Sequence, residues 1–223
     1  MSKIIIQAQN ICYQIDQEIK LFDNINLTVQ KGEVIGIAGK SGSGKTSLLH
    51  IISGLMKPTS GCRTILQKDL SSLDNQQLAT LRQKHLGFIF QTPNLLADFS
   101  PVENIALPLI MAGEQYQYAC KKAHTIMEKL DIANLASRSS LDLSGGEKQR
   151  VNIARAIIHQ PSIVFADEPT GSLDQENADN IQNILFSLQK DYKCAVVIVS
   201  HDRQLIAQAK RRFILDKGSL SEE

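Results

Sequence analysis

No stretch of this 223-residue chain is apolar for long enough to cross a bilayer. The longest strongly apolar run, Ala195 to Val199, is a fraction of the roughly 20 residues a spanning helix needs. Charge of one sign is lacking too: the net charge is +1, which argues against bulk attraction to nucleic acid or anionic lipid. The four cysteines (Cys12, Cys62, Cys120, Cys194) are scattered, with no C-x-x-C pair. They read as reduced structural thiols, not as a disulfide frame or metal site. Met1 to Gln7 contain no signal-peptide h-region or cleavage site, so a cytoplasmic protein is expected. Internal repeats and low-complexity segments are absent as well. The length and ordinary composition suit one large domain, or a core with a smaller lobe.

What is present is a phosphate-binding pattern. Gly39-Lys40-Ser41-Gly42-Ser43-Gly44-Lys45-Thr46 fits G-x-x-x-x-G-K-[ST]. Glu33 to Ala38 reads as a buried strand before it, and Ser47 to about Met56 as a helix after it. Lys57-Pro58-Thr59-Ser60-Gly61 then breaks the chain. Glycines let successive backbone N–H groups point inward at phosphate oxygens, and the helix N-terminus adds partial positive charge. Lys45 is expected to reach the β- and γ-phosphates, and the Thr46 hydroxyl to hold Mg²⁺. Gly39, Ser41, Gly42, Ser43, Gly44 and Ser47 complete the expected nucleotide contacts.

Upstream, Ile4 to Val29 carries short apolar or alternating segments punctuated by Asn10, Asp16 and Asp23-Asn24, as in a small antiparallel sheet. Tyr13 lies there, with two readings open: its ring stacks on a base, or it packs on the sheet. Downstream, Arg63 to Leu66 reads as a short strand, Leu73 to Lys84 as a polar helix, and Leu86 to Phe90 as a buried strand ending at Gln91. From Thr92-Pro93-Asn94 the character changes. Pro101 and Pro108 interrupt the chain, Gln115 to Leu130 is amphipathic, and a helical lobe inserted between core strands is expected.

The core resumes with a helix lined by Val151, Ala154, Ile157 and Ile158, then the strand Ser162 to Ala166, an amphipathic helix around Ile181 to Leu188, and the strand Ala195 to Val199. Apolar strands alternating with helices imply a mainly parallel α/β sheet, whose ligands sit at the carboxyl ends of the strands. The phosphate loop, Gln91, Asp167, Glu168 and His201 all follow strands. Asp167 is placed to hold Mg²⁺ opposite Thr46. Glu168 is the expected residue that polarises an attacking water. Gln91 is placed to touch the metal or that water, and His201 to steady the γ-phosphate.

Leu143-Ser144-Gly145-Gly146-Glu147-Lys148-Gln149-Arg150 separates one phosphate-loop chemistry from another. Ser144-x-x-Glu147 is a capping box, so a helix starts here. Two glycines in its first turn cost about 1 kcal/mol each relative to alanine. They make sense where bare N–H groups must approach an anion closely. Since the phosphate loop already cradles one triphosphate, this second end is expected to meet a nucleotide bound by another copy.

With this stretch the whole chain resembles the ATP-binding subunits of ABC transporters, whose signature matches Leu143 to Gln149. The order matches as well: Tyr13, Gly39 to Thr46, Gln91, the signature, Asp167-Glu168, Ser172-Leu173-Asp174 and His201. The resemblance implies a P-loop NTPase (RecA-like) core over 31–91 and 151–223. It adds an antiparallel β region over 1–30 and a helical subdomain over 92–150. It implies a head-to-tail homodimer sandwiching two ATPs with Mg²⁺, each between one copy's loop and the other's Ser144, Gly145, Gly146 and Gln149. It also favours the adenine-stacking role for Tyr13.

Leu86 to Gln91, Leu95 to Leu109 and Ala166 to Asp174 are similar to the group of lipoprotein-releasing (LolD-type), MacB-type and FtsE-type ATPases. Leu95-Leu96-Ala97-Asp98-Phe99 and Ser144 to Arg150 lean toward the lipoprotein-releasing members. Thr46-Ser47 reverses the common Ser-Thr order, Pro101 stands where alanine is frequent and Ser172 where asparagine is frequent; none removes a required chemical group. The group implies a peripheral ATPase on the cytoplasmic side of the inner membrane, driving an integral permease and not binding nucleic acid. MacB-like efflux, FtsE-like division and solute import are the alternatives. ABC ATPases acting on DNA or ribosomes usually carry a coiled-coil insertion or two cassettes, and a P-loop kinase or GTPase has no use for the signature.

Overall fold

A computed structural model describes residues 3–15 and 19–223. Asp16 lies outside these residues. Two sheets organise the fold. The six-stranded sheet runs β10-β9-β3-β8-β7-β6, from β3 (Val34–Ala38), β6 (Leu86–Ile89), β7 (Ile163–Asp167), β8 (Ala195–Ser200), β9 (Arg211–Asp216) and β10 (Ser219–Glu222). Every pair except the β9–β10 hairpin is parallel, as the apolar strands require. The last two strands carry no long apolar run and were not anticipated.

The second sheet is antiparallel, β2-β1-β4-β5, with β1 (Ile4–Ile15), β2 (Ile19–Gln30), β4 (Ser60–Ile65) and β5 (Lys68–Asp69). The expected boundary at residue 30 therefore needs correction: residues 60–69 belong to this sheet, not to the parallel core. Short strands lack a distinguishing local signal, and pairing with β1 decides where they go. Asn10 and Asn24 adopt positive φ where the sequence suggested interruptions, yet β1 and β2 continue through them as register shifts.

The central sheet divides the interior by its two-residue period. Ile35, Ile37, Phe165, Val197 and Val199 pack toward the antiparallel sheet and α1 (Lys45–Ile52). Val34, Val164, Ala166, Val196 and Ile198 pack toward the helical side. That side carries α3 (Pro101–Met111), α4 (Tyr116–Lys129), α5 (Gly145–Ile157), α6 (Gln175–Tyr192) and α7 (Arg203–Ala207), with α2 (Asn75–His85) completing the set. Helix α1 stops earlier than expected, at Ile52, where Arg63 reaches in and donates 2.6 Å to the Ile51 carbonyl. Ser100 and Glu103 form a capping box at α3, with Pro101 in the first turn. Asn104, fully buried, ties Leu96 and Phe99 to Ser140 and so anchors the segment leading to α5. No helix among the described residues is long and apolar enough to cross a membrane.

Candidate functional site

The loop between β3 and α1 is built around backbone that other side chains rarely adopt. Gly42 and Gly44 have φ of 78° and 94°. The Lys45 ammonium lies inside the loop, donating to the carbonyls of Gly39 at 2.8 Å and Lys40 at 3.0 Å. Ser43 Oγ is buried with no hydrogen-bond partner. A buried polar atom left unpaired in a loop of convergent N–H groups suits an anionic ligand, which would satisfy it.

The parallel strands deliver the remaining groups to this loop. Thr46 donates a 3.0 Å hydrogen bond from its hydroxyl to Asp167 at the end of β7. Burial pushes the Asp167 carboxyl up from its ordinary value, while the Thr46 hydrogen bond holds it down. Glu168 follows at φ 43°, a left-handed conformation uncommon outside glycine, and its N–H donates to Val199 of β8. Its carboxylate accepts 2.8 Å from the Ser200 hydroxyl and 3.0 Å from the His201 N–H, and lies 3.4 Å from the Lys45 ammonium. The His201 ring nitrogen Nδ1 is 2.9 Å from the same carboxylate.

A cleft of about 590 Å³ opens over these groups. Ser41, Gly42, Gly44, Lys45, Thr46 and Ser47 line it from the loop, and Gln91, Glu168 and His201 from the strand ends. Ile15 and Leu21 line it as well.

The other predicted cluster lies elsewhere on the chain. Ser144 caps α5: its hydroxyl accepts from the Glu147 N–H, and the Glu147 carboxylate accepts 2.7 Å from the Ser144 N–H. None of Ser144, Gly145, Gly146 or Gln149 lines the cleft.

A family model described as "ABC transporter" matches residues 22–171. The chain belongs to the ABC transporter family. It is an ATPase of that type. Two similar relatives are named "Lipoprotein-releasing system ATP-binding protein LolD". The protein from Buchnera aphidicola subsp. Schizaphis graminum is 40% identical over 222 residues, covering 98% of this chain and 97% of that one. The protein from Blochmanniella floridana is 42% identical over 202 residues, covering 91% and 86%. Among solved structures, the dimeric post-hydrolysis state of the ATP-binding cassette MJ0796 bound to ADP and Pi superimposes with a TM-score of 0.89 at 33% identity, covering 98% of both chains.

Within this ABC cassette Tyr13 and Gln149 make contacts inside their own chain. Tyr13 is not among the residues lining the cleft; its ring packs against Phe22, centroids 5.9 Å apart. The register of β1 shifts on both sides of Tyr13. Gln149 is buried, 2% exposed, and donates 2.8 Å to the Pro169 carbonyl. Its place one turn into α5 points its amide at its own chain. Asn152, also unanticipated, continues this contact: its amide donates to Gln149 at 3.3 Å and to the Phe90 carbonyl at 3.0 Å. The pair therefore links the turn after Glu168 to the residue before Gln91. Ser200, which orients Glu168, was legible only as the end of a strand.

Proposed function

We propose that this chain powers a membrane permease that releases lipoproteins from the inner membrane, working as a head-to-tail pair around two Mg·ATP. The observation that carries the reading is the separation of two phosphate-suited ends on one chain. The loop with Glu168 forms one half-site, and the capped turn at Ser144 lies outside it with its glycines unengaged by that loop. A second copy supplies the missing half. The MJ0796 structures are described as dimeric, and the LolD relatives match at nearly full length.

Hard oxygen donors from Thr46 and Asp167 sit together, and a carboxylate that burial disfavours as an anion gains from a cation beside it. These residues fit Mg²⁺, which would neutralise charge on the triphosphate. Ser41, the loop N–H groups and Lys45 bind and orient the phosphates. Glu168, held by Ser200 and the His201 N–H, orients the attacking water and draws on its proton. Gln91 and His201 face the same cleft as γ-phosphate contacts.

Beside the Gln91 strand, a groove of about 610 Å³ is lined by Phe88, Phe90, Leu107, Pro108 and Met111, with Met111 72% exposed. An apolar groove of this kind suits a helix from a permease, so the chain is read as peripheral on the cytoplasmic face of the inner membrane. The test is reconstitution with a candidate lipoprotein-releasing permease in vesicles carrying a lipoprotein. ATP-dependent release of a lipoprotein from vesicles supports the reading. Drug efflux, solute uptake or no stimulation of ATPase by the permease overturns it.

A further inference from the structure

We propose that a cavity between the turn after α1 and helix α2 binds a phosphate group, held by Arg63, Arg82 and Lys57. It shares no lining residue with the nucleotide cleft.

The cavity measures about 350 Å³, near the lower end of the roughly 300–1,000 Å³ of small-molecule sites. Residues 54–61 line it, with Arg63 from β4, Ser71, and Asn75 and Arg82 from α2. Three of the lining residues are cations and none is a carboxylate. Among the described residues, no ion pair involves Lys57, Arg63 or Arg82.

Arg63 is the group that calls for a ligand. It is 8% exposed. A guanidinium keeps its charge in a folded protein, and a buried charge is costly unless it is paired. The acceptors of Arg63 are neutral: Nη1 donates 2.6 Å to the Ile51 carbonyl and also to that of Met56. Its Nε and Nη2 groups donate to nothing among the described residues. Arg155, by contrast, spends both Nη groups, on Asn94, Pro93 and Asn152. Burial pushes Arg63 down from its ordinary value, and the Asp69 charge opposes that shift. Asp69 is not in the cavity wall, and its Oδ1 accepts from both the N–H and the hydroxyl of Ser71. Asp74, beside Asn75 in the chain, accepts from the Gln77 N–H. An anion in the cavity would supply the missing countercharge.

Arg82 brings a second guanidinium, whose Nη1 makes one long contact, 3.4 Å, to the Gly54 carbonyl. Planar N–H forks match the paired oxygens of a phosphate or carboxylate. With Lys57, three positive charges line one small space, which favours a doubly charged oxyanion over a singly charged one. A phosphate monoester carries about 1.5 to 2 negative charges at neutral pH. The same group occurs on soluble esters and on lipid headgroups, and the cavity chemistry recognises both.

The test is calorimetric titration of the full chain with inorganic phosphate and with glycerol 3-phosphate. The phosphate loop is first saturated with Mg²⁺ and a non-hydrolysable ATP analogue, so that it takes no part. One saturable site is expected below about 10 mM, absent with sodium chloride at matched ionic strength. Arg82→Gln is expected to weaken it by roughly 10- to 150-fold, the worth of a charge-assisted contact. Lys57→Gln should weaken it too, whereas Lys68→Gln, outside the cavity, should leave it within about twofold. A thermal melt confirms that each variant is folded, and Arg82→Lys, which keeps the charge and loses the fork, serves if Arg82→Gln is not. Sedimentation with vesicles of phosphatidic acid in phosphatidylcholine separates the two sources. Binding that depends on Arg82 there assigns the phosphate to a lipid headgroup, and glycerol 3-phosphate binding without it assigns a soluble ester. No saturable site in either experiment, or binding indifferent to both Arg82→Gln and Lys57→Gln, would overturn the proposal.

Discussion

The Asn177 side chain occupies the space that a β-carbon on Gly146 would need; that carbon would lie 2.7 Å from Asn177 Cγ. Asn177 is fixed by donating 2.7 Å to Asp174, the residue that caps α6. The first turn of α5 thus packs against the first turn of α6 within one chain. The bareness of Gly146 has an internal reason in addition to any anion. Gly146→Ala is expected to cost about 1–3 kcal/mol by overpacking. Adding Asn177→Ala should recover most of that loss. Chemical denaturation of the single and double variants decides it; a double variant no more stable than Gly146→Ala refutes the contact.

Glu168→Gln is expected to leave ATP binding intact and to slow turnover by about 10²–10⁴-fold, the typical contribution of a positioned base. With hydrolysis blocked, a dimer should accumulate on gel filtration in ATP. Turnover at the unmodified rate would remove Glu168 from its assigned role.

Ser144→Arg removes the α5 cap and places a bulky cation at the turn assigned to a second copy's nucleotide. It should abolish ATP-dependent dimerisation while the monomer still binds ATP. Ser144→Thr keeps a capping hydroxyl and controls for the loss of about 1 kcal/mol of helix stability. Dimers of Ser144→Arg at wild-type yield would count against the two-half-site arrangement.

The capping carboxylates tie stability to acid. The Ser144 N–H, the Ser144 hydroxyl and nearby Arg138 and Arg150 hold Glu147 below its ordinary value. The Ser100 hydroxyl and N–H, with the Tyr116 hydroxyl, do the same for Glu103. A carboxyl lowered on folding contributes stability above its unfolded value and loses it as pH falls through the folded one. Denaturation midpoints should therefore be flat near neutrality and fall below about pH 4, where free glutamate titrates. Glu147→Gln should flatten part of that fall, and an unchanged acid profile would refute its contribution.

No disulfide joins the four cysteines, and they differ in access. Burial pushes Cys194 up to about 11, and it is fully inaccessible in the fold, whereas Cys62 is exposed. At neutral pH a thiol reagent should modify Cys62 in the native protein and Cys194 only after unfolding. Mass spectrometry of the labelled peptides reads the order.

Features that depend on neighbouring residues were legible from the chain alone. The phosphate loop needs glycines, a lysine and a hydroxyl at fixed spacing between strand and helix. Asp167 and Glu168 need a buried strand to deliver them, and Ser144 needs only Glu147 three residues on to cap α5. Apolar runs at β7 and β8 sufficed to imply a parallel sheet and to place its strand-end residues in one cleft. These follow from backbone geometry and short-range hydrogen bonding, which the order of residues specifies directly.

Tertiary structure decided what depends on pairing across distance. The β1–β2 pairing set Tyr13 against Phe22. Pairing with β1 drew residues 60–69 into the antiparallel sheet. Packing of α5 turned Gln149 inward to Pro169, and the adjacent ends of β7 and β8 brought Ser200 to Glu168. A residue's partner in these cases lies from 9 residues away, for Tyr13 and Phe22, to 59, for Ile6 and Ile65. Which face it presents is set by register and helix packing, and these are fixed only when the whole core closes.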